Sequence, residues 1–128
     1  MTRSQLELGA LCSAIDYVRA GVFRSKLRSE FDRALLEVDV IVSPTVAWEA
    51  PAEDPVVAGD EGASEARRTG PYNLTGLPAV TIPVGIGEDG LPVGLQVAGG
   101  WMDDHGVLRV ARALEEISGW EVRCPSGV

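Results

Sequence analysis

Apolar residues in the first third of the chain recur every three or four positions, which is typical of an amphipathic helix. The pattern predicts one long helix over about residues 4–38. The apolar series slips by one position beside Gly21, so we expect a bend or a break there. A helix of this length would extend on the order of 50 Å, which indicates that it packs on something larger or is broken. The series comprises Leu8, Leu11, Ile15, Val18, Val22, Phe23, Leu27, Phe31, Leu35 and Val38.

A β-branched apolar run follows the helical pattern. It predicts a strand over about residues 38–43 that is buried on both faces, because neither face of the run is polar. Pro44 ends the strand, since proline has no N–H to donate. The next segment, residues 47–66, contains six acidic residues together with Pro51 and Pro55. We interpret it as a long, exposed acidic loop.

Two alternating segments indicate a β-hairpin over about residues 79–98. Apolar residues alternate with smaller ones on both sides of Asp89-Gly90, a dipeptide that favours a hairpin turn. Pro83 and Pro92 each remove one donor from the strand pairing, so we expect them at bulges or at unbonded positions.

A last helix is predicted over about residues 104–118, with an acidic N-terminus and Gly119 suited to its C-cap. The order helix, strand, loop, hairpin, helix predicts an α/β fold with a mixed sheet and flanking helices. The whole chain, 1–128, is interpreted as a single partial domain.

Composition narrows the classes of function. The net charge of −8 argues against binding nucleic acid or an anionic membrane surface, and no apolar run is long enough to span a bilayer. No secretory signal is apparent, so we expect a cytoplasmic protein with Cys12 and Cys124 reduced. With His105 as the one histidine, the sequence contains no metal-ligand spacing, and we expect neither a metal nor a cofactor.

The segment PYNLTGLPAVTIPVG, followed by DGLPVGLQVAGG, resembles the C-terminal region of the amidase signature hydrolases. The upstream FDRALLEVDVIVSPTVAWEAP and the closing DDHGVLRVARALEE are similar to the same region, so the resemblance covers about residues 15–118. It implies the C-terminal portion of the amidase signature fold and, for an intact enzyme, hydrolysis of amide C–N bonds.

The family's catalytic groups are a serine nucleophile and a second serine, both from a Gly/Ser-rich segment, and a lysine base. This sequence has no such segment, and its one lysine, Lys26, lies on a polar helical face beside Ser25 and Ser29. An exposed lysine stays protonated and is no base. Ser43 is interpreted as a structural corner and His105 as a capping or exposed residue. We assign no catalytic residue within these positions.

The resemblance places three residues nearest to the family's substrate pocket: Tyr72, Asn73 and Thr75. At Asn73 we favour a buried turn-bonding role over a substrate contact, because amide side chains at turns often satisfy nearby backbone groups.

Two hypotheses follow. The first is a C-terminal fragment, or one piece of a split amidase, that is inactive alone unless an upstream amidase half supplies the triad. The second is a non-catalytic interaction or assembly module derived from an amidase. Both predict uncovered apolar surface, and we therefore expect a homo-oligomer that associates through the long helix or an open sheet edge.

Overall fold

The computed structural model describes residues 2–48 and 66–120. Two helices, a short strand, a short helix, a hairpin and a final helix follow one another along the chain. The predicted acidic loop at 47–66 lies almost entirely outside the described residues. Within the described ranges, no helix is both long and apolar enough to cross a membrane.

Two helices occupy the region where the sequence predicts one. α1 spans Thr2–Ala10 and α2 spans Ala14–Ala34. The helix is broken, as its length suggested, but the break precedes Ser13 and is not at Gly21, which lies inside α2. Ser13 is the N-cap of α2, and its Oγ accepts a hydrogen bond from the backbone N–H of Asp16 at 3.1 Å. A side chain that satisfies a free N–H starts a new helix, whereas a single glycine only weakens an existing one.

Three strands form an antiparallel sheet in the order β1-β3-β2. β1 spans Ile41–Pro44, and the predicted hairpin corresponds to β2, Ala79–Ile86, and β3, Pro92–Ala98. A shift in register separates Pro83 from Gly85, so this proline lies at an irregularity of the pairing, where its missing N–H is tolerated. The α/β class with flanking helices is confirmed.

β1 lies at an edge of this sheet, and it is less buried than the sequence predicts. Ile41 is half-buried and the side chain of Val42 is 47% exposed. The prediction of a strand at 38–43 covered on both faces is therefore wrong within the described part of the chain. The reason is that β1 pairs with β3 on one side only, and the helix that covers the apolar face of the sheet lies over β2 and β3.

The final helix, α4, packs on one face of the sheet. α4 spans Asp104–Ser118, as predicted, and its N-cap Asp103 accepts a hydrogen bond from the Gly106 N–H at 3.1 Å. Its apolar residues recur on one side and meet the apolar side chains of the two hairpin strands, because strand residues alternate between faces. The buried side chains on this side are Ile82, Val97, Val107 and Ala111.

The opposite face of the sheet is covered at one end by a short helix, α3, spanning Gly70–Thr75. Tyr72 and Leu77 are buried there against Ala98, and Phe31 and Leu35 of α2 pack on the same cluster. The cluster therefore joins the C-terminal half of α2, α3 and β3. This is the part of the fold that positions the candidate site.

Candidate functional site

The site is built around α3, which contains the start of the motif PYNLTGLP. Pro71 occupies the first turn of α3, where proline costs no hydrogen bond and its fixed φ favours the helix. Gly76 ends α3 with φ of 72°, a left-handed conformation that glycine adopts without strain. A Cβ at Gly76 would also lie 3.0 Å from Cζ3 of Trp101, so glycine serves both the turn and the packing.

Tyr72 is buried, and it also lines the surface depression beside Asn73 that is described below. Its ring centroid is 5.4 Å from that of Phe31, with the planes tilted by 55°, a favourable geometry for an aromatic pair. Burial raises the pKa of its hydroxyl above the ordinary 10.0, because the phenolate loses hydration, and a side-chain hydrogen bond with Ser43 acts in the opposite direction. Tyr72 is thus a buried residue that packs α3 against Phe31 of α2.

Thr75 is also directed inward. Its hydroxyl donates to the carbonyl of Pro71 at 2.8 Å, and its side chain is buried. A hydroxyl that donates to its own helix has its proton engaged within that helix. Of the three residues that the resemblance placed near a pocket, two therefore hold the corner together in this chain.

Asn73 is exposed, so the buried position favoured from the sequence is not the one that it occupies. It lies on an open surface depression of about 350 Å³, between the end of α3 and the start of α4. The surroundings combine aromatic and apolar groups with one carboxylate. The depression is lined by Tyr72, Asn73, Gly76, Leu77, Pro78, Trp101, Met102 and Asp104.

Gln96 is a buried polar residue whose role the sequence analysis missed. Its Nε2 donates to the carbonyl of Arg68 at 3.1 Å and so ties the segment before α3 to the central strand. A buried amide requires such a partner, because its desolvation is otherwise uncompensated. The signal that could have found it is the polar residue within the otherwise apolar strand GLQVA.

Two threonines meet above a glycine on the same face of the sheet. Thr45, just after β1, donates from Oγ1 to Oγ1 of Thr81 in β2 at 3.2 Å. Gly94 of the central strand lies beneath them: a Cβ there would come within 2.9 Å of Thr45 Oγ1 and 3.0 Å of Thr81 Cγ2. Gly94, the second glycine in DGLPVGLQ, therefore leaves room for the side chains of Thr45 and Thr81 to meet from the two outer strands.

Arg28 connects α2 to the turn before α4. Its guanidinium carbon lies 3.8 Å from the ring centroid of Trp101, and its Nε is 3.9 Å from a carboxylate oxygen of Asp32. A guanidinium stacked on an indole is held by the ring's negative face. This contact fixes one wall of the depression relative to α2.

The alternative nucleophiles and bases lie apart from this site. Ser25 donates its hydroxyl to the carbonyl of Gly21 and Ser29 donates to that of Ser25, each at 3.1 Å. Lys26 is exposed beside them on α2, and His105 is exposed in the first turn of α4. Among residues 2–48 and 66–120, no three histidine, cysteine or acidic side chains are grouped so that they could hold a metal ion.

Comparison with known proteins shows which family has this sequence and fold. The family model described as Amidase matches residues 1–108. The fatty acid amide hydrolase of Medicago truncatula is 40% identical over 131 aligned residues, covering 97% of this chain, and a glutamyl-tRNA(Gln) amidotransferase subunit of Methylococcus capsulatus is 36% identical, covering 88%. A crystal structure of an amidase superimposes on 91% of this chain with a TM-score of 0.77 and 31% identity.

A second solved structure, the glutamyl-tRNA(Gln) amidotransferase subunit of Thermotoga maritima, superimposes on 94% of this chain with a TM-score of 0.66 and 30% identity. The fold and the corner around α3 thus define a hydrolase-type α/β chain similar to amidases. The chain belongs to the amidase signature family. It spans 21% of the Medicago protein, 23% of the Methylococcus protein and 28% of each solved chain.

Proposed function

We propose that this chain is a scaffold portion of an amidase signature hydrolase and that the serine nucleophile, the bridging serine and the lysine base come from residues outside these 128. Its contribution is to support the substrate region through the corner around α3. The reaction of the assembled enzyme is hydrolysis of an amide C–N bond. The proposed setting is the cytoplasm, where the exposed thiol of Cys12 stays reduced.

One observation carries the proposal: the motif residues are used to build the corner and are not arranged as a reactive pair. Tyr72 packs on Phe31, Thr75 donates to its own helix, and Gln96 donates to the carbonyl of Arg68. Ser25 and Ser29 likewise donate to backbone carbonyls beside a solvated Lys26, and an acyl-transfer serine needs a neutral base within hydrogen-bond reach.

The test is an amidase assay of the purified chain with short aliphatic and aromatic amides. We expect no turnover above the uncatalysed rate. The same assay is repeated after co-expression with an amidase body that contains the serines and the lysine, and turnover in that mixture supports the proposal. Turnover by the isolated chain, or labelling of one of its side chains by a serine-directed inhibitor, contradicts it.

The second candidate is an assembly module that retains the fold without the reaction. The exposed apolar side chains of α2 and β1 support this alternative as well, because both hypotheses require a partner surface. Binding to an amidase body that stays inactive in the mixture would favour the module.

A further inference from the structure

The surface depression beside Asn73 has a firm floor and the size of a ligand site. Tyr72 and Leu77, which line it, belong to the buried cluster, and Gly76 ends α3 next to them. Its volume of about 350 Å³ lies within the range of small-molecule sites, which are mostly apolar and carry a few polar groups that orient the ligand. The side chains around this floor therefore decide which ligand it could take.

Met102 lines the depression from a turn that disfavours a side chain. The N–H of Asp103 donates to the carbonyl of Gly100 at 3.1 Å and closes the turn, and Met102 has φ of 65°. Among residues 2–48 and 66–120, it is the one residue other than glycine with a positive φ. A side chain in this conformation costs free energy, and such strain is concentrated at ligand and active sites. The turn thus presents a methionine that is 76% exposed.

Trp101 precedes Met102 in the same turn and is held by its contacts. The guanidinium of Arg28 lies 3.8 Å from the ring centroid, and the charge of Arg28 is balanced by Asp32, whose carboxylate is 3.9 Å from Nε. About half of the Trp101 side chain remains exposed. A fixed indole can contact a ligand with little further loss of side-chain entropy. Trp101 and Met102 therefore form an apolar wall.

Asp104 supplies the one formal charge among the described residues that line the depression. Its side chain is exposed, and no ion pair within the described ranges includes it. Asp103 differs, because its carboxylate accepts the Gly106 N–H as the N-cap of α4. The exposed amide of Asn73 adds an acceptor oxygen and two N–H donors. An unpaired carboxylate beside an apolar wall favours a ligand with a positive group and an apolar group.

Other classes of ligand fit these groups less well. An anion would meet the carboxylate of Asp104 without a lining cation, since Arg28 lies outside the lining residues and is paired with Asp32. A metal ion would find a single carboxylate, and the described part of the chain groups no three acidic, histidine or cysteine side chains for a metal. A neutral apolar ligand would cover the carboxylate without compensating its lost hydration.

We propose that the depression binds a primary ammonium carried on a short apolar group. The ammonium contacts the carboxylate of Asp104 and the amide oxygen of Asn73, because its three donors can serve both. The apolar group packs on Trp101 and Met102. The inference goes beyond the proposed function and does not rest on it, since all four side chains belong to this chain. Hydrolysis of an amide releases an amine, so the ligand has the chemistry of one product of the proposed reaction.

The test measures the binding of small probes to the whole purified chain by isothermal titration calorimetry at neutral pH. The probe is phenethylamine, which is an ammonium under these conditions. Phenethyl alcohol has the same apolar group without the charge, and phenylpropanoate carries a negative charge instead. We expect the amine to bind about fivefold more tightly than the alcohol, as one exposed charge pair can provide, and the anion to bind more weakly than the alcohol.

Asp104→Asn removes the charge from the depression. We expect it to lower the affinity for phenethylamine about fivefold, to that of the alcohol, and to leave the affinity for the alcohol unchanged. Asp39→Asn is the matched control, because it is the same substitution at an exposed residue that does not line the depression. It changes the net charge equally, and we expect it to bind the amine as the parent chain does.

Met102→Gly separates the ligand contact from the stability of the fold. It removes the apolar side chain and gives the turn the residue that adopts a left-handed conformation without strain. We expect the variant to unfold at the same or a higher temperature than the parent chain, as followed by circular dichroism. It should bind the amine and the alcohol about threefold less tightly, because both lose the same apolar contact.

Several outcomes overturn the inference. These are equal affinities for the amine and the alcohol, unchanged binding by Met102→Gly, and no saturation of the parent chain below about 10 mM amine. Equal losses in Asp104→Asn and Asp39→Asn would also overturn it, since they would assign the attraction to the net charge of −8. None of these measurements depends on turnover, so the amidase assay tests the proposed function separately.

Discussion

Individual residues of the motif stabilise the packing around the central strand β3, either by leaving steric room for a neighbour or by forming a hydrogen bond. Gly94 leaves room for the Thr45–Thr81 contact, Gln96 holds the segment before α3, and Tyr72 packs α3 on Phe31 of α2. Each role depends on a neighbour distant in sequence. The motif is therefore explained at this scale by packing of the corner, with no reactive group required.

Replacement of Gly94 by alanine is expected to lower the free energy of unfolding by about 1–3 kcal/mol, because the new Cβ overpacks against Thr45 and Thr81. Chemical denaturation measures the change. Gly85→Ala is the matched control: a Cβ at this β2 position meets nothing within 4 Å, so we expect little change or a slight gain. Equal losses in both variants would contradict the packing argument.

The raised pKa of Tyr72 predicts that the free energy of unfolding decreases at alkaline pH. Its pKa is raised in the folded state, so above pH 10.0 the unfolded chain releases the proton first and unfolding becomes more favourable as the pH rises. The stabilisation is complete below that pH and is lost as the pH rises through the folded-state pKa. Tyr72→Phe should remove this pH-dependent component, because phenylalanine has no hydroxyl to ionise.

Tyr17→Phe is the control for this prediction, because the ring of Tyr17 is 78% exposed. Denaturation curves at several pH values should show the same alkaline loss in this variant as in the parent chain. A loss that persists in Tyr72→Phe would assign it to other groups.

At the scale of elements, two glycines in helices have opposite roles. Gly21 lies inside α2 with open space where a methyl group would project, whereas Gly76 ends α3 with φ of 72° beside Trp101. One is a weak point in a continuous helix, and the other is required for a helix to end. Sequence alone shows the same residue at both positions.

We expect Gly21→Ala to raise the free energy of unfolding by about 0.5–1 kcal/mol, because alanine loses less backbone entropy in a helix. Gly76→Ala should lower it by more than about 1 kcal/mol, since a Cβ disfavours the left-handed conformation and approaches the indole. Thermal unfolding followed by circular dichroism tests both. A destabilised Gly21→Ala variant would indicate that the chain needs a bend there.

The N-cap of α2 provides a further test at this scale. Ser13→Ala removes the acceptor for the Asp16 N–H and should lower the free energy of unfolding by about 0.5–2 kcal/mol. Ser13→Asp retains an acceptor and should recover most of the loss. Hydrogen exchange is expected to rise in the first turn of α2 in the alanine variant, and unchanged exchange there would contradict the capping role.

For the whole molecule, the large exposed apolar surface determines how the chain is expected to associate. Large apolar side chains along α2 and at the β1 edge are exposed, and the chain spans about a quarter of the length of its relatives. A chain that leaves this much apolar area uncovered gains free energy by association.

Self-association of the isolated chain remains a prediction. Light scattering at micromolar concentrations should give a mass above that of one chain, because the β1 edge is open and Val42 is exposed. Val42→Lys should reduce the mass, since edge lysines oppose strand pairing, and Arg19→Lys serves as a charge-conserving control on α2. A stable monomer of the parent chain would count against the prediction.

Local patterns determined much of this protein. The alternation on both sides of Asp89-Gly90 specified the hairpin, the three- and four-residue steps specified α4, and the spacing of NLTGLP and DGLPVGLQ specified the family. These features depend on neighbours in sequence, so their physical causes can be found by reading along the chain.

Tertiary structure alone decided which face of β1 is covered and which distant residues Tyr72 and Gln96 contact, whereas the break before α2 follows from the local N-cap at Ser13. An apolar run is compatible with a buried strand, but the number of layers around it decides its exposure. Tyr72 and Asn73 are neighbours in sequence but have different surroundings. The fold brings Phe31 and Ser43 close to Tyr72, and it leaves Asn73 at the surface. Such contacts join residues far apart in sequence, and no local pattern encodes them.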